Sequence, residues 1–285
     1  MDTDRIIKLG LDKFPSDQDF VLHGFGLYVS SADANDITLF FINHRRPGSV
    51  IDIFSHTLGT STITYTQTYK HAMLKSPNGI APLSADSFLV TNDLCNPTGP
   101  KRLLELVFRR AGGSIQYHST TEKAKIVAHD VVYPNGIAFS PATSQAWVCS
   151  STTPELLIYN YDADMNRLKL RERVALLSMC DNVHISPTSG HVYTAGIVNP
   201  LAYLKMVKYS KDLGARGGVA SRAVRVVNNT GEDVFYGRKY KVETLLVSDG
   251  EFMGGGWAVA APEESRGKVL VGGQYVQGIA VCDLP

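Results

Sequence analysis

Four polar residues occupy matching places along the chain and carry oxygen atoms that suit a metal ion. Asn78 lies in SPNGIAPLS and Asn135 lies in YPNGIAFSP, while Asp181 and Asn182 are adjacent in CDNVHISP. Amide and carboxylate oxygens are the ligands that calcium prefers, in sets of about six to eight. These four residues are therefore candidate calcium ligands. Asn-Gly is also the commonest hairpin turn, so a turn at Asn78 and at Asn135 is the alternative interpretation.

The charge and chemistry of this set narrow the choice of metal. Only Asp181 carries a formal charge, so a divalent ion calls for a further carboxylate elsewhere in the chain. Zinc is disfavoured because it prefers histidine and cysteine in a tetrahedral arrangement. The sequence has no Gly-x-Ser-x-Gly, no His-Glu-x-x-His and no Gly-x-x-x-x-Gly-Lys-Ser/Thr motif. Hard-cation chemistry is thus favoured over serine, zinc or nucleotide chemistry.

Composition limits the partners that the chain can have. The 285 residues are 44% hydrophobic, and 28 Lys and Arg nearly balance 27 Asp and Glu. No basic run points to nucleic acid or an anionic membrane surface, and no run of 18 apolar residues predicts a transmembrane segment. The beginning, MDTDRIIKLG, has no signal-peptide core, so the localisation stays unknown, with secretion expected if a leader precedes this chain.

Short strand-like segments recur in the same order and position the four polar residues. A strand of small residues comes first in each unit, as in HGFGLYVS, PNGIAPLS, PNGIAFSP, DNVHISP and GGGWAVAAP, and a second strand follows it. The third strands include RLLELVFR from Arg102 and LKMVKYS from Leu204. Four short strands every ~40–50 residues are typical of a β-propeller blade. The sequence therefore predicts one all-β propeller domain over residues 1–285, with five recognisable blades.

The position of the candidate ligands within these units favours a functional ring. Small residues suit the innermost strand of each blade, where strands crowd around the central channel. Asn78, Asn135 and the Asp181–Asn182 pair all stand at the start of such a strand. They are expected to meet at one mouth of the channel, whereas a hairpin turn has no reason to recur there.

Five segments, taken in order, resemble the serum paraoxonase/arylesterase family of six-bladed, calcium-dependent hydrolases. The resemblance runs from about Phe20 to Leu284. LHGFGLYVSSADANDITLFFINH resembles the family segment with two histidines, here His23 and His44. The segments with Asn78, with Asn135 and with Asp181–Asn182 resemble those that supply calcium ligands, and GIAVCDL resembles the last strand.

This resemblance implies an activity and roles for the residues. Calcium bound by Asn78, Asn135, Asp181 and Asn182 would polarise the carbonyl of a lactone or aryl ester. His23 would act on water as general base, or help to position it, and His44 would relay the proton. Histidine suits such a step because its ordinary pKa of ~6.5 lies near the working pH.

The chain also departs from the family in ways that leave two alternatives open. In the family, half a blade precedes the segment that matches His23, and this chain has no match for it. That half-blade supplies a glutamate ligand to calcium. It also carries the cysteine that pairs with the terminal cysteine, which is Cys282 here. A sixth blade that is incomplete and a weakly held ion are therefore expected. The family's second calcium site is doubtful because Gly79 replaces an aspartate ligand. The alternatives are a non-hydrolytic propeller enzyme of specialised metabolism, such as a cyclase or isomerase, and an inactive binding remnant.

Overall fold

The computed structural model describes residues 6–209, with the main chain alone at 209, and residues 218–284. Within these residues, twenty strands form five sheets. The first sheet has the strand order β1-β5-β4-β3-β2, in which β1 is parallel to β5 and the other pairs are antiparallel. Its strands are β1 (Gly10–Asp12), β2 (Leu22–Val29), β3 (Asp36–Arg45), β4 (Gly48–Thr57) and β5 (Thr62–Tyr69).

The other four sheets are antiparallel and have strands in sequence order. The second comprises β6 (Pro77–Pro82), β7 (Ser87–Asn92), β8 (Gly113–Ser119) and β9 (Lys125–Val131), with helix α1 (Gly99–Val107) inserted after β7. The third comprises β10 (Pro134–Ser140), β11 (Gln145–Ser150), β12 (Glu155–Asp162) and β13 (Arg167–Ala175). The fourth comprises β14 (Met179–Ile185), β15 (Val192–Ile197), helix α2 (Pro200–Tyr209), β16 (Ser221–Asn228) and β17 (Tyr240–Ser248). The fifth comprises β18 (Gly256–Glu263), β19 (Lys268–Gln274) and β20 (Ala280–Asp283).

The five sheets are arranged as blades of a propeller. The first strands contact one another in succession, β2 with β6, β6 with β10, β10 with β14 and β14 with β18. Apolar side chains fill the space between neighbouring blades, as Ile42 and Phe88 do between the first two. The predicted all-β propeller is therefore confirmed, with five blades in the described residues.

Two of the predicted third strands are wrong, because the segments are helices. RLLELVFR lies mostly in α1 and LKMVKYS lies mostly in α2, and the third strands of these blades are β8 and β16. Pro100 stands in the first turn of α1, where a proline is favourable, and leucine, lysine, arginine and glutamate are good helix formers. Neither helix, nor any other in the described residues, is long and apolar enough to cross a membrane.

The first blade has one face that no other sheet covers in the described part of the chain. Phe14 and Phe20 pack over its outer strands, with each ring centroid 5.8 Å from that of Phe54. The inner strand β2 leaves Phe25 58% and Leu27 50% exposed. An apolar sheet face of this kind normally packs against a neighbouring element.

A buried histidine between the first and second blades makes stability depend on pH. His118 is fully buried, its Nδ1 lies 3.1 Å from the Tyr69 hydroxyl and its Nε2 lies 2.9 Å from Gln116 Oε1. Burial, and secondarily the charge of His71, lowers the pKa of His118 to about 4. Above the unfolded-state pKa of ~6.5 the imidazole is neutral in both states and does not destabilise the folded protein. As the pH falls from there towards 4, the unfolded state binds a proton that the buried ring does not, so the free energy of unfolding decreases.

We expect His118→Gln to reduce the pH dependence of unfolding. The wild-type free energy of unfolding should fall by about 2–3 kcal/mol between pH 7.5 and 4.5 on account of this residue alone, because one pKa unit is worth ~1.4 kcal/mol. Urea unfolding at the two pH values measures this difference. His129→Gln, at an exposed position, is the control and should leave the difference unchanged. An equal pH dependence in His118→Gln and wild type would contradict the assignment.

Candidate functional site

The first strand of every blade has a β-bulge near its start, and the predicted site residues lie in these bulges. In each first strand, the regular pairing with the second strand is interrupted over a short stretch. These stretches are 22–25, 77–80, 134–137, 180–183 and 257–259. They hold His23, Asn78, Asn135 and the pair Asp181–Asn182. A bulge redirects side chains and is frequent beside active sites. Four successive blades therefore present a polar side chain from equivalent positions.

Glycines beside these residues let the first strands approach closely. A Cβ atom on Gly79 would lie 2.6 Å from the carbonyl oxygen of Asn135, and one on Gly136 would lie 2.6 Å from that of Asp181. Both Asn-Gly pairs lie within strands, Asn78–Gly79 in β6 and Asn135–Gly136 in β10. The hairpin-turn interpretation of Asn78 and Asn135 is wrong, since each glycine serves contact between blades.

Asp181 and its neighbours form the polar centre of this ring. Asn182 Nδ2 donates to Asp181 Oδ1 at 3.3 Å and to the carbonyl oxygen of Ala258 at 3.2 Å. Burial raises the pKa of Asp181 to about 7, and the side chain of Asn135, which is within hydrogen-bonding reach, opposes this shift. Asn135 Oδ1 is buried and has no hydrogen-bond partner among the residues that the structure describes. Asp181 forms no ion pair with the described part of the chain. A buried acceptor without a donor beside such a carboxylate is costly unless a cation completes the site.

His23 and His44 lie together beside the ring. Their ring centroids are 5.0 Å apart, and His44 Nδ1 lies 2.8 Å from the Ser49 hydroxyl. His23 is exposed towards solvent, yet the surrounding protein lowers its pKa, while Asp93 and the nearby Asn78 side chain oppose the shift. Burial lowers the pKa of His44 as well, with the charge of His23 as the next cause. Both imidazoles are therefore biased towards the neutral form, which can accept a proton.

Asp93 occupies in the second blade the position that His44 occupies in the first. The main-chain N–H of His44 donates to the carbonyl of Val21 at 2.9 Å, and that of Asp93 donates to the carbonyl of Ser76 at 3.0 Å. Asp93 is buried and influences the pKa of both histidines. The structure thus adds a second carboxylate beside the site.

Arg102 of α1 neutralises this second carboxylate. Its Nη2 lies 2.9 Å from Asp93 Oδ2 and its Nη1 lies 3.2 Å from Asp93 Oδ1, which makes the ion pair bidentate. The Ser76 hydroxyl also donates to Asp93. Such pairs fix geometry as well as charge. Asp93 is accordingly held as an oriented anion, with its charge largely balanced.

Tyr133 stands between the two carboxylates. Burial, together with the charges of Asp93 and Asp181, raises the pKa of its hydroxyl to about 12, although the charge of Arg102 opposes this shift. Its backbone φ of 41° lies in the left-handed region, which costs a bulky residue ~1–3 kcal/mol. Strain of this kind concentrates at functional sites and persists where the surroundings enforce it.

The donor set suits calcium rather than a transition metal. No group of three His, Cys, Asp or Glu side chains that could hold a metal occurs in residues 6–209 or 218–284. Amide oxygens such as those of the ring, and a carboxylate such as that of Asp181, are hard ligands of the kind that calcium accepts. The unpartnered Asn135 Oδ1 is the specific feature that fits such an ion.

Comparison with known proteins identifies the family to which this fold and site belong. The family model described as Arylesterase matches residues 2–284. The chain is 25% identical to human serum paraoxonase/arylesterase 2 over 262 residues. The matched region covers 92% of this chain and 68% of that protein. Human serum paraoxonase/lactonase 3 is 23% identical, over 88% of this chain and 65% of its own length.

The fold and the site together define the class of this protein. It is a β-propeller with polar residues at the start of its innermost strands. The chain belongs to the arylesterase family. Among solved structures, it resembles the periplasmic gluconolactonase of Pseudomonas aeruginosa, with a TM-score of 0.50, 8% identity, and coverage of 90% of this chain and 65% of that one. At this identity the likeness shows the fold alone.

Proposed function

We propose that this protein hydrolyses esters or lactones at a calcium ion held by the ring. Two findings support the proposal: membership of the arylesterase family and the buried Asn135 Oδ1 that lacks a partner beside Asp181. The second carries the proposal, because a cation would satisfy both the unpaired acceptor and the carboxylate. The names of the human relatives give aryl esters and lactones as the substrates to test first.

Four side chains of the ring would hold the ion: Asn78, Asn135, Asp181 and Asn182. Calcium at this place supplies a Lewis acid that polarises the carbonyl of the ester. The protein contributes oxygens fixed by the bulges and by the close contact between blades. Burial raises the pKa of Asp181 to about 7, and a cation bound beside the carboxylate would oppose this shift and favour the ionised form that serves as a ligand.

The histidine pair would handle the proton of the attacking water. His23 would take the proton and His44 would relay it, with the Nδ1 of His44 oriented by the Ser49 hydroxyl 2.8 Å away. Both rings are biased towards the neutral form that a general base requires. Asp93 is a positioning residue here, because its charge favours the imidazolium that forms, while Arg102 keeps the carboxylate in place.

The proposal extends to a six-bladed ring that forms a single domain. A sixth blade would pack on the exposed face of β2, where Phe25 and Leu27 now meet solvent. The apolar character of that face supports a covering sheet. A structure of the protein with six radial sheets would bear this out, whereas a water-exposed β2 face in a closed five-bladed ring would contradict it.

Hydrolysis of phenyl acetate and of an aliphatic δ-lactone by the purified protein tests the proposed function. The rate should depend on calcium, should be lost in a chelator and should return when calcium is restored. Turnover that persists in the chelator would contradict the role of the metal. Absence of turnover on both substrates, with calcium bound, would favour a propeller enzyme that does not hydrolyse esters.

A further inference from the structure

A groove of about 550 Å³ lies between the outer strands of the second and third blades. Strand β9 forms one wall, and β13 with the turn before it forms the other. Val127, Ala128 and Leu168, which belong to the core between these blades, form its apolar floor. The volume is that of a site for a small organic molecule. None of the residues that form the ring or the histidine pair lines this groove.

Tyr159 gives the groove an unused hydrogen-bond donor. The residue is only 5% exposed, and it lines the groove from β12. Burial raises the pKa of its hydroxyl to about 12, so the proton stays in place at neutral pH. The hydroxyl forms no hydrogen bond with the described residues. The hydroxyl is therefore available to donate a hydrogen bond to a ligand in the groove.

The charges around the groove are mainly positive. Arg167 is exposed at the rim and forms no ion pair with the described residues. Arg173 pairs with Glu155 at 2.7 Å, while Lys125 donates to the carbonyl of Met165 across the groove. Asp130 is the acidic residue that lines it. Arg167 is therefore the cation with capacity to bind an anion.

We propose that this groove binds a compact organic anion, with a carboxylate or chemically similar head and an apolar body. The apolar body would lie on the floor of Val127, Ala128 and Leu168. The anionic head would accept hydrogen bonds from the Tyr159 hydroxyl and the Arg167 guanidinium. Binding does not depend on the proposed hydrolysis, since the groove and the ring share no residue.

Titration of the whole protein with octanoate by calorimetry tests this site, with 1-octanol and inorganic sulfate as the two partial ligands. Octanoate should bind at least ~10-fold more tightly than either partial ligand. Arg167→Gln should weaken octanoate binding ~10-fold, because it removes a charge-assisted hydrogen bond, and Tyr159→Phe should weaken it about 5-fold. Lys169→Gln is the matched control, because Lys169 is an exposed cation on the same strand that does not line the groove. Its affinity should equal that of wild type.

Three results would overturn the proposal. Equal affinity of Arg167→Gln and wild type would place octanoate elsewhere, including at the ring as a hydrolysis product. Equal affinity for 1-octanol and octanoate would show an apolar cleft without anion recognition. Equal weakening in Lys169→Gln and Arg167→Gln would show only a general effect of net charge. Thermal melting of each variant verifies that it is folded.

Discussion

Replacing Asp181 with asparagine should lower calcium affinity by ~10²–10³-fold and abolish calcium-dependent hydrolysis. The substitution keeps the shape of the side chain and removes the one charged ligand in the proposed set. Two opposite unit charges 4 Å apart interact by ~4 kcal/mol at an effective dielectric constant of 20, and an ion with two charges depends on this term more strongly. Calorimetric titration with calcium, followed by the hydrolysis assay, measures both effects.

The stability of the calcium-free variant separates a lost ligand from a damaged fold. Because burial raises the pKa of Asp181 to about 7, the ionised carboxylate destabilises the metal-free protein at pH 8. Asp181→Asn without calcium should therefore melt no lower than metal-free wild type at this pH. Asp164→Asn, an exposed change of the same charge, should leave calcium affinity as it is. Undiminished calcium affinity in Asp181→Asn would remove this residue from the site.

Replacing either His23 or His44 with glutamine should slow hydrolysis by ~10²–10⁴-fold while calcium still binds. This range is typical for the loss of a general acid–base group, and the rings, 5.0 Å apart, are proposed to act on one proton. The double variant should be about as slow as the slower single variant, because residues that act as a unit do not contribute additively. The turnover rate and the calcium affinity are measured on the same preparations.

A surface histidine serves as the control for this pair. His129→Gln removes an exposed imidazole on β9 and should hydrolyse at the wild-type rate. A loss of less than about threefold in both His23→Gln and His44→Gln would show that the proton is handled elsewhere. Asp93 would then be the nearest buried carboxylate to examine, since its charge reaches both rings.

The propeller and the ring positions could be predicted from the sequence because the pattern repeats. Asn78 and Asn135 stand before glycine at the start of matching strands, and each glycine is required by a close contact with the next blade. The bulges themselves could not be predicted, because a single extra residue in a short strand leaves too little of the alternating pattern to interpret. They explain why His23 and Asn78, residues of different type, hold equivalent positions.

The helices and the second carboxylate were missed for different physical reasons. A segment of about eight mainly apolar residues, such as RLLELVFR around Leu104, fits a strand as well as a helix, so length alone does not decide. Asp93 in LVTND matches His44 in FFINH, since each stands at the end of the second strand-like segment of its unit. The position repeats while the residue type changes, and aligning the units by position rather than by type would have found it. Arg102 could not be placed at all, because its helix was predicted as a strand.

A crystal structure of the protein with saturating calcium tests the central claim most directly. We predict one ion at the mouth of the channel, with oxygens of Asn78, Asn135, Asp181 and Asn182 at ~2.3–2.6 Å, one of them Asn135 Oδ1. Anomalous scattering would identify the ion as calcium rather than water. Ordered density for these four side chains without an ion between them, at a calcium concentration that supports hydrolysis, would contradict the account.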